Sequence, residues 1–399
     1  MNHKIICMIT SQHSPFDPRI FYREALSLKR NGYLPIIISG NGYFNEMVYG
    51  IRICGFRRGW LSNFLTRVML IDCISILRLF LIAIKIKSQV YHAHELESFI
   101  AAWMCKLFKK YFKEPIKVIY DVHEWYPELS NYGIRDLLRY KLLRVYDKFF
   151  SRYADLVIAT EVEKGERYAT YRGKKDVLIL GHYPPLNIFS FNSFQKTEDG
   201  RPFVLGYVGG LTLDRGALTM LKVVNYMKEK GVQNISVLYV GNFSSLKQRD
   251  IVLHFAKNKS IDLEITGWKS FEEVPKQIAR MDLCLALLHP KPYYMNAIPI
   301  KLFEYMACGK PILASDFKNI KNILNESKAG IVIDPLNIER IADTILQLIS
   351  NKEKRMQMSF SGLRYIQEGH HWGVLEKMLL KKYEDLCRTN VDRNEAKLE

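Results

Sequence analysis

What this sequence lacks narrows its class early. Seven cysteines are scattered through 399 residues, with Cys54 and Cys73 the nearest pair and no C-x-x-C. That spacing argues against a disulfide framework or a zinc ribbon and suits a reducing compartment. No secretory leader is read: "KIICMIT" is too short for an apolar h-region and runs into polar "SQHS". The most apolar run, "VMLIDCISILRLFLIAIKIK" (68–87), is broken by Asp72 and Arg78, whereas a spanning helix wants about 20 apolar residues without such charges. There is no G-x-G-x-x-G, no glycine loop ending in G-K-[ST], and no D-x-D. These absences set aside the dinucleotide fingerprint and the P-loop.

Charge is plentiful, and it is uneven. The net charge is +17, and residues 1–153 hold 23 Lys/Arg against 12 Asp/Glu. Such an excess favours an anionic partner. Much of it sits in helical, aromatic-studded segments, "AAWMCKLFKKYFKEPIK" (101–117) and "RDLLRYKLLRVYDKFFSRY" (135–153). Basic helices with aromatics on the other side suit a membrane surface, and ordinary crossover helices with solvated lysines are the alternative. An RNA partner would rest on charge alone, so no nucleic acid is expected.

Short β-branched runs alternate with helical patterns throughout. Strands are expected near 4–10, 34–39, 51–56, 89–94, 117–123, 156–160 and 177–181, then near 203–209, 235–241, 261–267, 282–288, 310–315 and 329–333. Runs such as "LPIIIS" and "LCLALL" are apolar on both faces, as in parallel sheets covered by helices. Two such series predict two doubly wound α/β domains: 1–185, a linker at 186–202 rich in Pro, Asn and Ser, and 203–370, followed by a return helix and polar tail at 371–399. In open parallel sheets ligands bind beyond the carboxyl ends of the strands, so the site is expected where two such edges face each other.

The motifs stand at those ends. After strand 203–209, "GYVGGLTLDRG" offers Gly209 and Gly210 for close backbone approach and Arg215 at a helix start, an anion site; a tight turn that needs glycine is the bland reading. After the first strand comes "SQHSPFDPRIFYREA", with Asp17 as N-cap and Pro18 at the first helical position. Arg19 then sits in a first turn, where the helix dipole disfavours a cation. A bound phosphate or acidic acceptor would account for it, and so would a surface pair with Asp17. In "IYDVHEWYPE" (119–128), Asp121, His123 and Glu124 end a strand, and His123 can bond a sugar hydroxyl or shuttle a proton. In "YHAHE" (91–95), His92 and His94 share a strand face without an evident third metal ligand, and are read as structural. In "NAIPIKLFEYMACGKPILASD" (296–316), Leu302, Phe303, Met306 and Ala307 form an apolar helix face, with Lys301, Glu304, Tyr305 and Cys308 opposite. The helix start with Lys301 can face a diphosphate, and Glu304 can hold a ribose. A Lys301–Glu304 surface pair is the alternative.

"PIKLFEYMACGKPILASD" resembles the donor-binding segment of the retaining glycosyltransferases of family 4, which have the GT-B fold. "YVGGLTLDRG" is similar to their glycine-rich start of the C-terminal domain, "ITGWKSFEEVPKQIARMDLCLALL" to their base-side segment and "DVHEWYPE" to the loop with their active-site histidine. The resemblance implies a GT-B enzyme of two Rossmann-like domains and a metal-independent hexosyltransferase using a nucleotide sugar. Glu304 would hold the ribose, Arg215 and Lys301 the diphosphate, Gly209, Gly210, Gly267, Trp268, Asn296 and Leu302 would complete the donor site, and His123 would lie near the transferred sugar. Asn296 would stand in place of the first acid of a pair spaced eight apart, and Gly210 where many members carry Arg. His13, Asp17 and Arg19 would form the acceptor or phosphate loop, "HSPFDPR" replacing the usual glycines. No metal is expected. The expected setting is surface polysaccharide synthesis at the inner face of a bacterial membrane, with a lipid-linked glycan as acceptor. The alternatives are a nucleotide-sugar epimerase or hydrolase on the same fold, and a non-catalytic scaffold subunit.

Overall fold

The computed structural model describes residues 4–59, 72–114, 116–123, 134–173, 176–190 and 200–388, the side chains of 134–140 excepted. Glu124, most of the expected linker and the tail beyond 388 lie outside the described residues. The chain divides into two compact units, Met1–His182 with Leu375–Glu399, and Tyr183–Val374. The last helix, Trp372–Cys387, therefore belongs to the first unit over most of its length.

The first unit is built on β1 (Ile5–Thr10), β2 (Leu34–Ser39), β3 (Asn41–Val48), β4 (Ile51–Arg57), β5 (Val90–His94), β6 (Lys117–Val122), β7 (Leu156–Ala159) and β8 (Val177–Ile179), in the order β3-β4-β2-β1-β5-β6-β7-β8. Every pairing is parallel except β3 with β4. The parallel strands are the apolar runs of the sequence, and Ile6 to Ile9, Val90, Val118 and Ile158 are buried, as expected of strands covered on both faces. Residues 41–48, where no strand is expected, form β3. It is an exposed edge strand closed onto β4 by Tyr49 and Gly50, with φ of 48° and 71°. A two-residue turn with both φ positive matches the right-handed twist of a hairpin, and the polar pattern "NGYFNEMV" hid it.

The second unit holds β9 (Phe203–Val208), β10 (Ile235–Val240), β11 (Asp262–Ile265), β12 (Leu283–Ala286), β13 (Ile312–Ser315) and β14 (Gly330–Ile333). They form an all-parallel sheet ordered β11-β10-β9-β12-β13-β14. Numbered within the unit this is 3-2-1-4-5-6, the doubly wound order, whose direction reverses between its first and fourth strands. The reversals, between β1 and β5 in one unit and between β9 and β12 in the other, are where a ligand crevice opens.

Candidate functional site

In the second unit the loops after β9 and β12 meet at the reversal. Gly216, with φ of 84°, allows this: a Cβ there would come within 2.4 Å of the Leu287 carbonyl oxygen. The His289 N–H donates to the Asp214 carbonyl (2.8 Å), tying the two loops together. Arg215 lies back across its own turn. Its Nε donates to the Tyr294 hydroxyl (3.0 Å) and its Nη1 to the Gly210 carbonyl (3.2 Å). The adjacent glycines are each covered by a cation. A Cβ on Gly210 would stand 2.8 Å from Arg215 Nη1, and one on Gly209 would stand 3.2 Å from Lys301 Nζ.

Lys301 opens the helix Lys301–Ala307, and its Nζ lies 3.6 Å from the centroid of the Tyr207 ring, a cation–π contact. Burial holds its pKa well below the ordinary lysine value, and the like charge of Arg215 adds to this; Glu304 opposes both. An anion arriving here would meet two cations and restore the full charge of one of them. This helix has no solvated face. Tyr305 is fully buried, its hydroxyl accepts the Val208 N–H at 2.9 Å, and Glu304 and Cys308 are buried as well. The surface-pair alternative for Lys301 and Glu304 is thereby replaced by a buried arrangement.

Other expected donor residues are distributed unevenly. Asn296 is exposed, and its carbonyl accepts from Asn319 Nδ2 at 2.8 Å. Gly267 takes φ of 75° just beyond β11, and Trp268 is exposed beside it. Leu302 requires a correction as to its side chain, which is wholly buried; its N–H donates to the Pro299 carbonyl (3.1 Å).

In the first unit Asp17 caps the helix beginning at Pro18, accepting from the N–H groups of Arg19 and Ile20. Arg19 also needs correction, since it faces neither an acceptor nor the surface. It is buried, with Nε and Nη2 donating to both oxygens of Asp121 (2.7 and 3.0 Å) and Nη1 to the Leu180 carbonyl (2.9 Å). The carboxylate it needed lay 102 residues along the chain, beyond the reach of local pattern. Burial opposes ionisation of Asp121, but Arg19 and His123 outweigh it and hold the carboxyl well below its usual range.

Around that pair Glu24, His92, His94 and Asp121 bring their ligand atoms within 4.8 Å of one another. His92 Nδ1 sits 2.7 Å from the Tyr383 hydroxyl and His94 Nδ1 3.1 Å from His123 Nε2. Arg19 Nε lies 2.7 Å from Asp121 and 3.1 Å from Glu24, while both Glu24 oxygens and the Nε2 atoms of His92 and His94 are buried without a hydrogen-bond partner. Burial, reinforced by Asp121, raises Glu24 well above an ordinary carboxyl, and Arg19 opposes them.

His123 and His13 are partly exposed at the strand ends, with ring centroids 4.6 Å apart. Sequence reading missed Glu95, which ends the motif "YHAHE" and lies against His13; the signal was a carboxylate following the last residue of a buried strand.

Residues 189–363 match the model of the family "Glycosyl transferases group 1". Among curated proteins the chain is similar to the alpha-D-kanosaminyltransferase of Streptomyces kanamyceticus, 23% identical over 161 residues, which is 40% of either chain. It is 22% identical over 116 residues to the GDP-mannose-dependent alpha-(1-6)-phosphatidylinositol monomannoside mannosyltransferase of Mycobacterium tuberculosis, 29% of this chain and 30% of that one. The matches thus span less than half of these relatives' length. Solved structures align over nearly the whole chain. Sucrose-phosphate synthase from Thermosynechococcus elongatus gives a TM-score of 0.73 at 14% identity, covering 96% of this chain and 99% of that one. HepE of Anabaena, in complex with UDP and glucose, gives 0.70 at 12% identity, covering 96% and 100%. At such identities the likeness establishes the fold, two Rossmann-like sheets of the GT-B type.

Proposed function

We propose, from the premise that residues 189–363 are a glycosyl transferases group 1 domain, that this protein is a glycosyltransferase moving a sugar from a nucleoside diphosphate to a glycan acceptor. The observation that carries the reading is the pair of cations, Arg215 and Lys301, laid over Gly209 and Gly210 where the second sheet reverses direction. Two positive side chains over a glycine turn fit a diphosphate. Glu304, near Lys301, is assigned to the ribose, Trp268 and Gly267 to the base side, and Asn296 to a hydroxyl of the sugar. Phosphate charge is neutralised by side chains and backbone, with no metal in the scheme.

His123, with His13 and Asp17, is assigned to the acceptor. Transfer is taken to retain anomeric configuration. The acceptor oxygen bonds to the anomeric carbon on the face from which the diphosphate leaves, the C–O bond to the diphosphate breaks, and the acceptor proton passes to a departing phosphate oxygen.

The acceptor is proposed to be lipid-linked, as in surface polysaccharide synthesis on the cytoplasmic face of a membrane. Among the described residues no helix is long and apolar enough to span one. Support for surface binding comes from the first unit, where Phe108, Tyr111, Phe112, Val145 and Phe149 are exposed beside exposed Lys110, Lys113 and Lys141. Phe80, Phe108 and Phe112 form one run of ring contacts at 6.2 and 4.8 Å. Exposed aromatics among lysines match an anionic lipid surface.

The test is nucleoside diphosphate release from UDP-, GDP- and dTDP-sugars by the wild type and by Glu304→Ala, with and without membrane extract. Release that needs extract and is lost in the variant is the expected outcome. Release without acceptor would point to an epimerase or hydrolase, and binding without release to a scaffold subunit, the reading that Asn296 in place of an acid favours.

A further inference from the structure

The first unit's sheet reverses direction between β1 and β5, and one side chain occupies that point. Glu95 follows β5 with φ of 66° and ψ of 166°, a conformation in which residues other than glycine are strained. Strain of this kind persists where the surroundings over-determine it, and it gathers at functional sites. Here the surroundings are explicit. The buried carboxylate accepts from Thr10 Oγ1 (3.0 Å), Ser11 N (3.0 Å), Ser11 Oγ (3.1 Å), Ser98 Oγ (3.2 Å) and the His13 N–H (3.3 Å). His13 Nε2 lies 3.1 Å from Glu95 Oε1 as well. A loop staple would need only the backbone and hydroxyl contacts; the imidazole contact is additional.

His13 in turn stands 4.6 Å, centroid to centroid, from His123, whose Nε2 is 3.1 Å from His94 Nδ1 and 3.6 Å from Asp121. Two imidazoles, each beside a buried carboxylate, thus face one another at the carboxyl edge of the sheet. His13 Nε2 makes no hydrogen bond, so the nearby carboxylate acts on that ring by charge and packing.

We propose that Glu95 is a positioning residue, holding the Thr10–His13 loop and the His13 ring so that His13 and His123 together present a paired-imidazole wall to the acceptor sugar. The inference rests on the transferase reading. The groups facing the carboxylate are His13 from the loop after β1, His123 from the end of β6 and Glu97 from its own helix. Burial raises Glu95 to about 7, against the lowering effect of His123 and of the donors on Ser11 and Thr10, so it changes charge near neutrality.

The experiment uses Glu95→Gln in the full chain, which keeps the side chain's length and removes its charge. Nucleoside diphosphate release should fall about 10²-fold in kcat, the donor KM should stay within about twofold, and the limb of the pH profile near 7 should vanish. The pH-dependent change that Glu95 imposes on the ring nitrogen NMR signals of His13 should disappear with it. Thr10→Val, which removes one donor to the carboxylate, should move both the kinetic limb and the Glu95-imposed change in the His13 signals to higher pH, and it serves if Glu95→Gln does not fold. Wild-type pH behaviour and His13 signals in both variants, with only a lowered Tm, would overturn the proposal and leave Glu95 a loop staple. If the wild type turns over no donor at all, the transferase reading fails, and the His13 signals still decide whether Glu95 positions the ring.

Discussion

Where the first sheet reverses direction, between β1 and β5, the crevice is closed by the protein's own charges: Glu95 takes five donors, and behind it Arg19, Asp121, Glu24, His92 and His94 are buried together. Where the second sheet reverses, between β9 and β12, the crevice is lined by glycines under two cations, with a tyrosine ring and carbonyls as their nearest company. The same winding rule makes both places. The difference is one of enclosure: the first crevice gathers its charged groups in burial, some of their atoms without a hydrogen-bond partner, and the second leaves positive charge over a bare turn. Substitutions in the buried Arg19–Asp121 set should therefore act through folding, and those in the second crevice through ligand affinity.

The largest effect is expected from removing Asp121. Asp121→Ala would strand a buried guanidinium that now makes two hydrogen bonds to that carboxylate, and such a loss costs about 3–5 kcal/mol. Arg215→Ala, at a partly exposed arginine, should leave stability within about 1 kcal/mol and weaken nucleoside diphosphate binding by about 1.5–3 kcal/mol. Urea denaturation and calorimetric titration of the two variants check both halves. If Asp121→Ala cost affinity rather than stability, the contrast would fail.

Much of this architecture could be read from the sequence, and the exceptions share a cause. The parallel strands were legible because burial on both faces writes itself as unbroken apolar runs, as in "LPIIIS". Gly209, Gly210 and Arg215 were legible because a strand end, a glycine pair and a helix start lie within a few residues of each other. Arg19 with Asp121, and Glu95 with the Thr10–His13 loop, were not legible, because each partnership joins segments far apart in the chain and a linear pattern carries no trace of strand order. The burial of the second face of the helix Lys301–Ala307 was hidden for a related reason. Its polar side meets β9 rather than solvent, so Tyr305 is buried with its hydroxyl satisfied by the Val208 N–H.

A smaller effect tests the cations directly. Lys301 is held well below its ordinary value by burial and by Arg215, while a bound diphosphate would favour its charged form. Above the free protein's pKa at Lys301, binding must take up a proton, so affinity should weaken as pH rises, by at most tenfold per unit, or about 1.4 kcal/mol. Below that pKa the dependence should flatten. Lys301→Met should remove the slope, and calorimetry in buffers of different ionisation enthalpy should count the proton. A wild-type slope surviving in Lys301→Met would assign the titration to another group.

The smallest expected effect separates a loop held by its own side chains from one held by glycine geometry. Asp17 accepts the N–H groups of Arg19 and Ile20 at the head of the helix that carries Arg19 to Asp121, and its other oxygen lies 3.7 Å from His13 Nδ1. Asp17→Ala removes the cap, worth about 1 kcal/mol, and frees that ring nitrogen. Arg19 should stay in place, because its bonds to Asp121 and Leu180 come from the guanidinium and not from the helix end. Asp17→Asn retains an acceptor for the helix N–H groups and discards the charge beside His13, so it should recover the stability without recovering the electrostatic contact. If activity follows stability through both variants, Asp17 serves the helix alone. If Asp17→Asn is as stable as the wild type yet altered in turnover, the charge beside His13 belongs to the site.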